Sequence, residues 1–183
     1  MNSFVIEKLT EFTFKKVKYY SIRYVEKNSD EDIENDVNEF FDFLNRMEDI
    51  PEIENDLKYL LIWIEDIIGD TFGAQPKYFR NEAIISDTSA LPPPRGQMKF
   101  NKIVVEDLRL YCFVANENVV FLFNGSIKSK NVIKAQDCPN VAPYIKKANT
   151  LTKVINSLFQ SGEIKWNSNQ TDILFDNTQE FNL

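Results

Sequence analysis

Apolar residues recur at three- and four-residue spacing in two adjacent stretches of the acidic first half. Ile33, Val37, Phe40, Phe41, Leu44 and Met47 wind onto one face of a helix. Ser29, with Asp32 three positions on, gives it a weak capping pattern. Pro51 then stands where a second helix tolerates proline, in its first turn. Ile53, Leu57, Leu60, Leu61, Ile64, Ile67 and Ile68 form the buried face of that helix, and Gly69 suits its end. The connection is short, so helices at about 30–47 and 51–68 are expected to pack as an antiparallel hairpin.

Elsewhere the period is two. Phe12 to Glu26 reads as a strand, with Tyr20, Ile22 and Tyr24 alternating with Tyr19, Ser21 and Arg23. Leu108–Ala115 and Val119–Phe123 form two strands around a turn at Asn116–Asn118, and 127–133 extends further. Phe100–Val105 is a candidate strand, and Pro92, Pro93 and Pro94 a stiff connection. Asn140 and Pro143 open a helix with Val141, Ile145, Ala148, Leu151, Ile155 and Leu158 on its apolar face, and Gly162 closes it. Lys165–Trp166 and Ile173–Phe175 read as a closing hairpin. The order predicts an α+β fold: an N-terminal strand, an antiparallel helical hairpin, then an antiparallel sheet with a further helix. The 183 residues read as a single domain, 1–183, with a core at about 19–161 and an extension at each end.

A hydrophobic content of 43% and an aromatic content of 13% fit a folded chain. No apolar run reaches the roughly 18 residues a membrane helix needs, and "MNSFVIEKLTEF" lacks a signal-peptide pattern, so no membrane partner and a cytoplasmic location are expected. Cys112 and Cys138 read as reduced thiols. Histidine is absent, which excludes Ser-His-Asp and Cys-His chemistry and imidazole metal sites. Glu65/Asp66 and Glu106/Asp107 lack a third ligand, so no metal is expected. Charge is uneven. From Asp30 to Asp70, 15 acidic residues face Arg46 and Lys58, a net of −13; from Thr71 to Ser161, 12 basic residues face 6 acidic ones, a net of +6.

The basic half carries the candidate chemistry. In "LRLYCFV", Leu108, Leu110, Cys112 and Val114 share one face, while Arg109, Tyr111 and Phe113 share the other. Arg109 has a plain structural reading, with its stem packed and its head paired at the sheet edge. Yet Lys128 and Lys130 follow the partner strand, and Arg80, Arg95 and Lys99 precede the first. Antiparallel pairing makes Arg109 and Lys128 neighbours. Cations beside exposed aromatic rings suit a phosphate and a stacked base. "FNGSIK" lacks the Gly-Lys-Ser/Thr ending of a phosphate loop.

The element order, the arginine in "LRLY", the strand running into "GSIKSK" and the helix "VAPYIKKANTLTKVINSLF" together resemble the RelE/ParE toxin superfamily, nearest its HigB-like, phage-derived branch, over about Tyr19 to Phe159. The resemblance implies the toxin component of a toxin–antitoxin system, an endoribonuclease that cuts mRNA on the ribosome without metal or cofactor. The 2′-hydroxyl would attack the adjacent phosphate and leave a cyclic phosphate. Arg109 would contact that phosphate, Lys128 and Lys130 would hold it or assist deprotonation, and Tyr111 would stack on a base. Arg80, in the loop after the helical hairpin, would join Arg95 and Lys99 in binding RNA. A short antitoxin is the implied protein partner, and charge complementarity places it over the basic span 71–161. Two alternatives stand beside this: a non-enzymatic toxin that blocks a protein target, and an interaction module that uses the acidic helices. Convergence of Arg109, Lys128 and Lys130 on a bound phosphate or sulfate favours the nuclease, and an Arg109 buried against a carboxylate favours the last.

Overall fold

Residues 3–25, 37–81, 86–132 and 134–183 are described by the computed structural model. Its central strands are apolar on both faces, which demands cover on both faces. In β5 (Leu108–Asn116), Leu108, Leu110 and Cys112 enter one core, and Tyr111 and Phe113 enter another. β6 (Val119–Ile127) divides likewise, with Val120 and Leu122 against Phe121 and Phe123. The first core is closed by α1 (Glu39–Glu48), α2 (Glu54–Ile62) and the π-helix Trp63–Phe72 that continues it. The second is closed by α4 (Ala142–Ser161). The sheet is therefore sandwiched. Tyr20 and Ile22 pack on the α4 face, across the sheet from Leu108, Leu110 and Leu122.

β1 (Ser3–Thr13), β2 (Lys18–Val25), β3 (Arg80–Asn81), β4 (Thr88–Leu91), β5, β6 and β9 (Phe181–Asn182) form a seven-stranded sheet in the order β3-β4-β5-β6-β2-β1-β9. It is mixed rather than antiparallel: β2 runs parallel to β6, and the other pairs are antiparallel. The expected strand from Phe12 to Glu26 is broken by a turn, which is held by the Lys15 amide on Asp70 Oδ1 (2.9 Å) and the Lys16 amide on Gly69 O (2.8 Å). β1 and β9 lie outside the expected core span yet belong to the main sheet.

The helices depart from their expected bounds for local reasons. α1 starts at Asn38, whose side chain accepts from the Phe41 amide; its expected first turns, at 30–36, lie outside the described residues. The second helix is a 3₁₀ turn at Pro51–Ile53, then α2, then the π-helix. Tyr19 Oη donates to Ile64 O (2.7 Å) inside that widened stretch. Gly69 is required there, because an added Cβ would lie 2.7 Å from the Phe14 ring. Phe100–Val105 is not a strand. Arg95–Asn101 forms the short helix α3, anchored by buried Met98 and ended by Lys102 in the left-handed region (φ 58°). β3 and β4 are two and four residues long, too short to show a period. The closing hairpin forms as β7 (Lys165–Trp166) and β8 (Ile173–Leu174). Among the described residues, no helix is long and apolar enough to cross a membrane.

Candidate functional site

The open end of the β5–β6 hairpin gathers the candidate cations. Leu108 stands opposite Ile127 and Arg109 opposite Ser126, and the Lys128 amide donates to Asp107 O (2.6 Å). Arg109, Lys128 and Lys130 thus leave the sheet at one end. An α2 carboxylate fixes that end: Asp56 Oδ2 accepts from the amides of Glu106 (3.0 Å), Asp107 (2.7 Å) and Leu108 (3.4 Å). Lys130 Nζ lies 3.3 Å from Asp107 Oδ2 with its side chain 77% exposed, and Lys128 Nζ donates to Val132 O. Cys138 Sγ accepts from the Ser129 amide (3.4 Å), tying the loop after β6 to the lead-in of α4.

Two candidates do not face solvent. Arg109 is only 7% exposed, and its Nη1 donates to the carbonyls of Leu108 (2.6 Å) and Glu106 (3.4 Å). Tyr111 is wholly buried. The expectation of an open aromatic face fails because α4 covers it, so Tyr111 offers no stacking platform in this structure. Arg80 Nε donates to Pro92 O (2.7 Å) and its Nη2 to Pro93 O (3.0 Å), which pins the proline run. Arg95 Nη2 lies 3.9 Å from Glu106 Oε1 with its side chain 70% exposed, so it adjoins the open end; Lys99 is exposed on α3.

A polar cluster beside this end has no counterpart in the sequence reading. β2 and β6 pair over Lys18–Tyr20 against Val119–Phe121, and α1 enters beyond, where the Phe40 amide donates to Ser21 Oγ (3.2 Å). Arg46 Nε donates to Asp42 Oδ2 (3.0 Å) and its Nη2 to Gly125 O (3.0 Å) and Asn124 Oδ1, while the guanidinium lies 5.0 Å from the Tyr144 ring centre. Asn124 Nδ2 donates to Asp42 Oδ2 (2.8 Å). Lys147 Nζ is 3.1 Å from Glu39 Oε1 and 4.6 Å from the Tyr24 ring centre. Burial opposes ionisation of Asp42, but the bonds from Asn124 and Arg46 and the charges of Arg46 and Lys147 outweigh it and lower its pKa. Burial, aided by the Glu39 charge, pushes the Tyr24 phenol upward. Glu39 Oε2 and Tyr24 Oη are buried without a hydrogen-bond partner. Two cations balance two carboxylates, so the cluster joins α1, β6 and α4 rather than forming a basic surface. The available signal was Asn124, a polar residue in an apolar strand.

Among the described residues, no group of three His, Cys, Asp or Glu side chains is placed to hold a metal ion. No protein-family model, no curated protein and no solved structure matches this chain, so its function is argued from the geometry above.

Proposed function

We propose that the chain is a toxin of the RelE/ParE type, HigB-like, that acts in the cytoplasm as a metal-independent endoribonuclease on mRNA, with a small antitoxin as its partner. The observation that carries the reading is the meeting of Lys128, Lys130, Arg95 and the buried Arg109 at one end of the β5–β6 hairpin. The succession of a strand, two helices, the antiparallel β5–β6 hairpin and α4 supports it, with β3, β4 and the short helix α3 added between the second helix and β5. In the reaction, the 2′-oxygen loses its proton and bonds to phosphorus, the P–O5′ bond breaks, and the leaving 5′-oxygen takes up a proton. Negative charge builds on the phosphoryl oxygens. Lys130, which is exposed, and Lys128, which is half-buried, would offset that charge. Arg109 acts one layer behind, holding the Glu106 and Leu108 carbonyls and so the loop between α3 and β5.

A second reading, a target-binding toxin or interaction module without catalysis, is favoured by the burial of Arg109 and Tyr111. Induced expression in a bacterium with transcript-end mapping separates the two. The proposal expects growth arrest and new RNA ends, both reduced about 10²-fold or more in the Lys128→Ala/Lys130→Ala double variant. Arrest without new ends assigns the target-binding toxin, and an absence of arrest rejects both toxin readings and leaves the interaction module.

A further inference from the structure

We infer that Phe100 is a base-stacking anchor for single-stranded RNA, with Lys99 and Lys102 as its phosphate contacts. The inference rests on the RNA reading above and extends the site to α3. Phe100 is 84% exposed, the barest large apolar side chain among the described residues. It is not on a loose loop. Met98, two positions earlier, is buried and accepts the Val105 amide on its sulfur (3.4 Å); the Ile103 amide donates to Met98 O (3.1 Å); and Asn101 Nδ2 donates to Gln97 O (2.9 Å). The helix is thus anchored on one side and presents the ring on the other.

The surroundings of the ring select the ligand. Lys99 and Lys102 flank it in sequence and are exposed, as is Arg95 in the same helix. Among the described residues, the one carboxylate paired to these cations is Glu106, 3.9 Å from Arg95. An apolar protein partner calls for a contiguous apolar patch, but Ile103 and Val104 are half-buried against the main core. A single bare ring with an exposed lysine one position before it and another two positions after it suits an unstacked base and its phosphates. The helix that carries Phe100 also adjoins the candidate site, because Arg95 pairs with Glu106 and Lys130 with the next residue, Asp107.

The test measures fluorescence anisotropy of a labelled 12-nucleotide 2′-O-methyl oligoribonucleotide, which resists cleavage, with the full chain. Stacking on one ring predicts that Phe100→Ala weakens binding about 5- to 150-fold. Phe100→Tyr should bind within about twofold of the parent. The log–log salt slope should be unchanged by Phe100→Ala and reduced by about one by Lys102→Gln. Melting temperatures should be unchanged, since the ring touches solvent. The inference fails if Phe100→Ala binds as the parent does, if the parent does not bind the oligonucleotide, or if the parent instead binds phosphatidylserine-containing vesicles through Phe100. Transcript-end mapping keeps the two claims apart. Phe100-dependent binding without cleavage sinks the nuclease reading and leaves the anchor standing; cleavage that Phe100→Ala does not change does the reverse.

Discussion

Gly125→Ala should dismantle the candidate site from within the sheet. Gly125 sits opposite Leu110, beside a register shift between Leu110 and Cys112. A Cβ added there would stand 1.9 Å from Arg109 O, 2.8 Å from Arg109 C and 2.9 Å from Leu110 Cα. All three are backbone atoms of the paired strand, so no side chain can swing aside. Contacts under 3.0 Å are essentially unknown for a Cβ, so β5 and β6 must part by at least 1.1 Å at this point. That disrupts the ladder at Leu110–Gly125 and Arg109–Ser126 and shifts the Gly125 carbonyl that Arg46 holds at 3.0 Å. Two to three backbone and side-chain hydrogen bonds at about 1 kcal/mol each, plus repacking of both cores, give a loss of about 3–5 kcal/mol. Gly96→Ala is the matched control. No atom lies within 4 Å of its added Cβ, and Gly96 is exposed within α3, so the change should be neutral or stabilise by about 0.5–1 kcal/mol. Urea unfolding followed by circular dichroism compares them. Equal midpoints for the two variants would refute the close approach of β5 and β6.

Leu60→Ala, at a fully buried α2 position, should cost about 2–5 kcal/mol in the same assay, and a loss below 1 kcal/mol would mean that α2 does not close the first core. Arg109→Ala should lower stability by about 1–3 kcal/mol, because the carbonyls of Glu106 and Leu108 lose a charged donor; an unchanged midpoint would show that the guanidinium is not embedded as described. Burial opposes ionisation of Asp172, but bonds from Lys8, Tyr20 and the Ile173 amide and the Lys8 charge outweigh it and hold its pKa below the ordinary carboxylate value. Its contribution is therefore present above about pH 4 and lost as pH falls through the folded-state value. Asp172→Asn should be less stable at pH 7 and show a flatter acid limb; a parallel curve would remove Asp172 from the linkage.

The helical period was strong enough to place α2, α4 and much of α1, since each buries one continuous stripe. The β5–β6 hairpin was legible from two apolar runs on either side of the polar turn at Asn116–Asn118. What misled was the alternation within "LRLYCFV". Period two marks two faces, and it does not say that one of them meets water. Tyr111 and Phe113 were read as an open face, but both are apolar enough to be covered, and α4 covers them. The parallel β2–β6 pair and the Arg46–Asn124 bonds join residues far apart in sequence, so no local pattern could reveal them. Phe100 was absorbed into an expected strand because its neighbours Ile103, Val104 and Val105 are apolar. Only the left-handed turn at Lys102 separates the exposed ring from that run.

The parallel pairing of β2 with β6 also sets an order of events during synthesis. Lys18 meets Val119, 101 positions later. The β1–β2 hairpin is local and can form early, but one edge of β2 has no strand to pair with until β6 has been made. At about 5–20 residues per second, that interval is on the order of 5–20 s for each chain. Throughout it, the nascent chain presents a bare strand edge whose side chains Tyr19, Tyr20 and Ile22 are destined for the two cores. Any factor that pairs with strand edges therefore has its widest opportunity before the candidate site exists.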